Sequence, residues 1–160
     1  MGGEYAANDG EDQKVARAIA DHYLPRSGAD VERGVLPREP EGAIVSLADK
    51  LDSIAGCFGV GLAPTGEQDP YALRRQTLGI LKILRAREWH LSLKEAIDQA
   101  LEPYRGIHER PKEKIAEEIL SFTRTRLATQ LAVEGHPVDF IEAAVRSGFD
   151  DILDVIEKVK

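Results

Sequence analysis

At 160 residues, with 42% hydrophobic and 31% charged side chains, the chain has one domain's length and enough apolar material to bury a core without metal or disulfide support. A net charge of −7 excludes a surface that wraps nucleic acid all round, because phosphate binding relies on clustered Lys and Arg, and the single cysteine, Cys57, excludes an internal disulfide. No run reaches the ~18 apolar residues of a membrane span, and MGGEYAANDGED lacks an export signal's basic-then-apolar pattern, so a reducing cytoplasm is the expected setting.

Residues 1–10, rich in Gly, Asn and Asp, read as a loop. From about Glu11 to Tyr23 the apolar set Val15, Ala16, Ile19 and Tyr23 recurs at helical spacing, with Asp9 as N-cap and Pro25 closing the far end. His22 at the end of that helix is expected to pack or to cap its last carbonyls. Residues 26–41, punctuated by Gly28, Gly34, Pro37 and Pro40, read as a second loop. A long helix is then expected from Pro40, with a stripe of Ile44, Leu47, Ala48, Leu51, Ile54 and Ala55.

The stretch FGVGLAPTGEQDP, with Gly59, Gly61 and Gly66, follows a helix and lacks both phosphate-loop patterns. It reads as a sharp return between helices that ends with Asp69 as N-cap and Pro70 at the first helical position. The helix from Pro70 is expected to bury Leu73, Thr77, Ile80, Leu81 and Leu84. A capping box of Ser92 and Glu95 opens a short helix to Leu101, and Tyr104 to Arg110 reads as a connector. Pro111 opens a long helix ended by Gly135, and two short helices follow, Pro137 to Arg146 and about Asp150 to Val159. No alternating strand and no fixed-period repeat is present, so the fold class is all-α.

Two groups of side chains carry chemistry. Asp49 and Asp52, three apart, are neighbours on one helical side; they suit a divalent cation, a cap, an arginine partner or water. Arg74, Arg75, Lys82, Arg85 and Arg87 fall within one segment that holds no acid, which suits either a solvated face or phosphate oxygens. Cys57 has no positive neighbour in sequence to lower its pKa and reads as core. The histidines at 22, 90, 108 and 136 are too scattered for a zinc signature.

Read together, HYLPR at 22–26, SLADKLD ending at Asp52, FGVGLAPTGEQDP, DPYALRRQTLGILKIL, FTRTRLATQLAVEG at 122–135 and FDDILDVIEKV at 149–159 resemble the beta subunit of the bacterial two-subunit glycyl-tRNA synthetase. The resemblance implies an internal fragment of a longer subunit, with an HD-domain-like helical bundle over residues 1–110 and a helical extension over 111–160 leading toward an anticodon-binding domain. It implies glycine tRNA and the synthetase alpha subunit as partners, with neither DNA nor a membrane. No cofactor is implied for this piece, since ATP and Mg serve glycine activation in the alpha subunit. Arg74, Arg75, Lys82 and Arg85 are then the candidate RNA-facing residues. Asp49 is similar to the late Asp of HD-type phosphohydrolases, so Asp49 and Asp52 would be an HD-like remnant without the His-Asp pair that holds metal. A metal-dependent phosphohydrolase and a purely structural helical module are the alternatives.

Overall fold

The computed structural model describes residues 1–65 and 69–160. Nine α-helices and one short 3-10 turn make up the regular structure among these residues: α1 Gly2–Asn8, α2 Gln13–Asp21, α3 Gly28–Arg33, α4 Pro40–Gly59, α5 Leu73–Arg87, α6 Leu93–Leu101, α7 Lys112–Val133, α8 Val138–Arg146 and α9 Ile152–Val159. The all-α expectation holds.

The hub is α4, which packs on α2, α5, α6 and α7. Twenty residues long with Pro40 in its first turn, it spans about 30 Å at 1.5 Å per residue. Ile54, Ala55 and Phe58 pack with Leu81 and Leu84 of α5, Ile97 and Leu101 of α6, and Ile115, Ile119 and Leu127 of α7 in one continuous core. Helix α9 closes the core with Ile152, Val155, Ile156 and Val159 and docks on α5. The α5 stripe is buried as expected, Leu73 and Thr77 completely.

Several sequence expectations are corrected. Residues 1–10 are not a loop: Gly2–Asn8 is helical and lies on α2, where Gly3 faces the Ala16 carbonyl without a Cβ to keep it away. Helix α2 starts at Gln13 because Asp12, rather than Asp9, accepts the Lys14 N–H. Its inward face is Ala16, Ala18 and Asp21, whereas Val15, Ile19 and Tyr23 are exposed. Small side chains let α2 approach Gly3 closely and pack on Gly42 of α4, which favours this face turning in. Asp21 can be buried because Arg38 donates Nε–H to it at 2.9 Å and a second guanidinium N–H at 3.1 Å. These bonds hold the Asp21 carboxyl below the usual carboxylate range despite burial.

Within residues 26–41 lies a helical turn, α3. Ser27 and Asp30 cap it reciprocally, and Gly34, in the left-handed conformation at φ 67°, ends it. On α4 the expected stripe is displaced: Leu47, Ile54 and Ala55 are buried, but Ile44 is 58% exposed while Ser46 and Lys50 are buried. Helix α5 begins at Leu73 rather than Pro70. Asp69 still caps it, accepting N–H from Leu73 at 2.7 Å and Arg74 at 3.0 Å. Gly66 lies outside the described residues. Asp150, expected at the start of the last helix, instead caps α6 in trans: its carboxylate takes the Lys94 N–H and its carbonyl the Leu93 N–H, both at 2.9 Å.

A candidate nucleic-acid interface and its adjoining cavity

Helix α5 presents its basic side chains on either side of the buried stripe. Arg75 is exposed and has no hydrogen-bonding or ion-pair partner among the described residues. Arg74 is half-buried and engaged within the chain, and it lies near enough to Arg126 of α7 to act on that residue's charge. Arg126 stands over the Phe122 ring at 5.0 Å, with its Nε buried and unbonded among the described residues. Burial first, then Arg74, hold its pKa below the ordinary arginine value. Arg74 and Arg126 form a cationic pair that the sequence did not disclose, because Arg126 lies about fifty residues further on in a mixed-charge helix, while Arg75 lines a cavity with Asp49 and Lys50.

The far end of the basic run is committed internally. Arg85 clasps both carboxylate oxygens of Glu134 at 2.7 Å. Burial would push the Glu134 carboxyl up, but the Arg85 and Gln130 hydrogen bonds outweigh it and hold it below its usual range. Arg87 donates to the carbonyls of Pro37 and Arg38 at 2.7 Å each. Lys82 is half-buried nearby and helps to lower the Glu134 carboxyl.

Asp49 and Asp52 go to different places. Tyr104 donates its hydroxyl to Asp52 at 2.9 Å and stacks on His108 at 4.7 Å, while the His108 ring lies where a Cβ on Gly59 would be. Asp52 therefore helps pin the 102–110 connector to the end of α4, with Arg110 donating to the Phe58 carbonyl at 2.9 Å. On its other side Asp52 borders a largely apolar cavity of about 540 Å³ walled by Ile44, Leu51, Trp89 and Leu91.

Asp49 lines a different cavity, of about 690 Å³, bordered by α1, α2, the residues after α2, α4 and α5. Lys50, Ser53, Arg75 and Arg26 share its wall. Lys50 is 3% exposed. Its ammonium donates to Ser46 Oγ at 2.7 Å and to the His22 carbonyl at 3.2 Å. Burial pushes its pKa down to about 8, with Arg75 adding to the effect and Asp49 opposing it. His22 caps as expected, its Nδ1 2.8 Å from the Ile19 carbonyl. The neighbours of Asp49 in the cavity are cations, and no second carboxylate or imidazole joins it among the described residues, so the donor set does not fit a divalent metal. The His and acid side chains that do converge are His90, Asp151 and Asp154, an exposed group with His90 Nδ1 2.8 Å from Asp151. The Cys57 thiol is half-buried against the core, and burial pushes its pKa up, so it stays protonated.

Comparison with known proteins accounts for the motif order. A family model described as "Glycyl-tRNA synthetase beta subunit" matches residues 1–146. Among curated proteins named glycine--tRNA ligase beta subunit, that of Syntrophus aciditrophicus is 46% identical over 160 residues, all of this chain and 23% of the relative. That of Trichlorobacter lovleyi is 47% identical with the same coverage, and that of Geobacter sulfurreducens is 47% identical over 159 residues, 22% of its length. These relatives are components of an aminoacyl-tRNA synthetase. The chain belongs to the glycyl-tRNA synthetase beta-subunit family, and it spans less than a quarter of the length of the relatives it matches.

Proposed function

We propose that this chain is a tRNA-positioning and scaffold module of a glycyl-tRNA synthetase beta subunit, acting in the cytoplasm beside a separate alpha subunit that activates glycine with ATP and Mg. The module contributes RNA contact and assembly surface rather than aminoacylation chemistry. The observation that carries this reading is Arg75, exposed and unpartnered among the described residues, next in sequence to Arg74, which in turn lies near Arg126, on an otherwise acidic protein. A guanidinium with no internal partner is available to a phosphate oxygen. Arg85, bound to Glu134, and Arg87, bound to backbone, have mainly internal roles, and Lys82 extends the face at its margin. In this reading Asp49 and Asp52 are an HD-like remnant that performs no hydrolysis.

The test is glycine-tRNA binding by the full two-subunit enzyme carrying Arg74→Glu with Arg75→Glu, titrated over a range of salt. Affinity is expected to fall, and the salt slope to shrink by about one for each phosphate that is no longer neutralised. Unchanged affinity and slope would remove the RNA role from this face and leave the structural module.

A further inference from the structure

The cavity bordered by α1, α2, α4 and α5 is not explained by an outward-facing RNA surface. Its side chains include three cations, Arg26, Lys50 and Arg75, and one carboxylate, Asp49, so it carries a positive excess that is largest when Lys50 is protonated. Arg75 has no hydrogen-bonding or ion-pair partner among the described residues. Arg26 donates one guanidinium N–H to the Ala20 carbonyl at 3.1 Å, which fixes the group while leaving other donors. Lys50 directs two of its three N–H donors to Ser46 and His22, which anchors the ammonium and leaves one donor without a protein partner among the described residues. A buried cation with a spare donor and two arginine forks beside it is a concentrated anion-binding arrangement. Asp49 and Ser53, on the same wall, supply a carboxylate acceptor and a hydroxyl for neutral O–H groups. The volume of about 690 Å³ falls within the range of roughly 300–1,000 Å³ typical of small-ligand sites.

We propose that this cavity is a binding site for a phosphorylated ribose, with Lys50, Arg75 and Arg26 holding the phosphate and Asp49 and Ser53 the ribose hydroxyls. The role is one of binding. Among the described residues Asp49 is the one carboxylate in the wall, and no second carboxylate or imidazole joins it as a metal ligand. Lys50 at the floor gives the site a pH signature. The titratable and charged groups that share the cavity wall with Lys50 are Asp49 on its own helix, Arg75 on α5, Arg26 and Tyr23 on the segment that follows α2, and Met1 with its ammonium before α1. A phosphomonoester is already dianionic above its second pKa near ~6, so loss of affinity as pH rises through about 8 reports Lys50.

The experiment is equilibrium dialysis of labelled AMP against the full-length subunit without its synthetase partner, with adenosine as the phosphate-free control. Saturable AMP binding is expected, absent for adenosine, weaker as pH rises through about 8, and reduced about tenfold by Arg75→Gln, the effect of removing one charge-assisted hydrogen bond. Arg75 is exposed, so this variant keeps the test valid even where Lys50→Met fails to fold. Displacement of AMP by glycine tRNA assigns the phosphate to RNA, and its retention assigns the site to a free nucleotide; either supports the proposal. No saturable AMP binding, equal binding of adenosine, or affinity untouched by Arg75→Gln overturns it. Arg75 belongs to both readings, but Lys50 and Arg26 belong to this one alone, so unchanged tRNA affinity in the Arg74→Glu, Arg75→Glu enzyme would leave AMP binding standing.

Discussion

Lys50 concentrates the residue-scale physics of this protein. An ammonium buried to 3% exposure between α4 and the turn after α2 has lost most of its hydration, and two hydrogen bonds replace only part of it. Its folded-state pKa, about 8, lies below the ~10.4 of an unfolded lysine. Between those values the unfolded chain binds more protons than the native one, so stability rises with pH over that window and carries the full penalty below it. Denaturant midpoints measured from about pH 8 to pH 10 should climb for the native protein, and Lys50→Met should flatten the climb. A slope that survives the substitution would mean the ammonium is hydrated after all. None of this was legible in the sequence, where Lys50 is one charge between two aspartates. Its burial depends on residues 22–25 folding over α4.

At the scale of elements, the termini of helices show how local signals and tertiary contacts share the work. Ser27 with Asp30, Asp12, Asp69 and Asp151 cap the helices that follow them, and each is a short polar residue where a helix start needs one. Asp150 does something that spacing along the chain does not report, serving α6 from a position more than fifty residues later. It accepts from Ser92 Oγ at 3.1 Å as well as from Lys94 N. Asp150→Ala is expected to cost about 1–2 kcal/mol, the usual effect of removing a cap, read as a lowered denaturation midpoint. A comparable cost from Ser92→Ala, and a double mutant less costly than the two singles combined, would confirm that the pair acts as one device. Beside it, the Asp151 carboxylate raises the His90 imidazole pKa. That pairing contributes fully below the ordinary histidine range and fades as pH rises through the raised value.

At the scale of the molecule, α4 is the part on which the rest is assembled, since four other helices pack on it. Ile54, 1% exposed in its C-terminal half, is within the shared core. Ile54→Ala should cost about 2–5 kcal/mol, a drop in Tm of several degrees for a chain of this size. A cost near zero would mean that the core collapses around the cavity and that α4 is not its hub. The same arrangement explains where the basic side chains of α5 go. With its buried stripe fixed against α4 and α7, α5 leaves Arg75 at the edge of the cavity and turns Arg85 toward Glu134 at the start of the α7–α8 connection.

The sequence by itself determined the all-α class, the existence and approximate limits of α2 and of α4 through α9, the buried stripe of α5 and the family. These follow from periodicity, caps, breakers and ordered motifs, all of which are local or cumulative along the chain. Only the tertiary structure decided which face of α2 and α4 turns inward, because the choice falls to contacts between elements: Gly3 against the Ala16 carbonyl for α2, and the Ser46 and Lys50 hydrogen bonds to the Leu24 and His22 carbonyls for α4. It alone separated Asp49 from Asp52, one at a cation-lined cavity and the other bonded to Tyr104. It also divided one run of arginines into those with internal partners and the exposed Arg75. Sequence spacing places side chains around a single helix, whereas a binding site is made by groups on several, and their meeting is a property of packing.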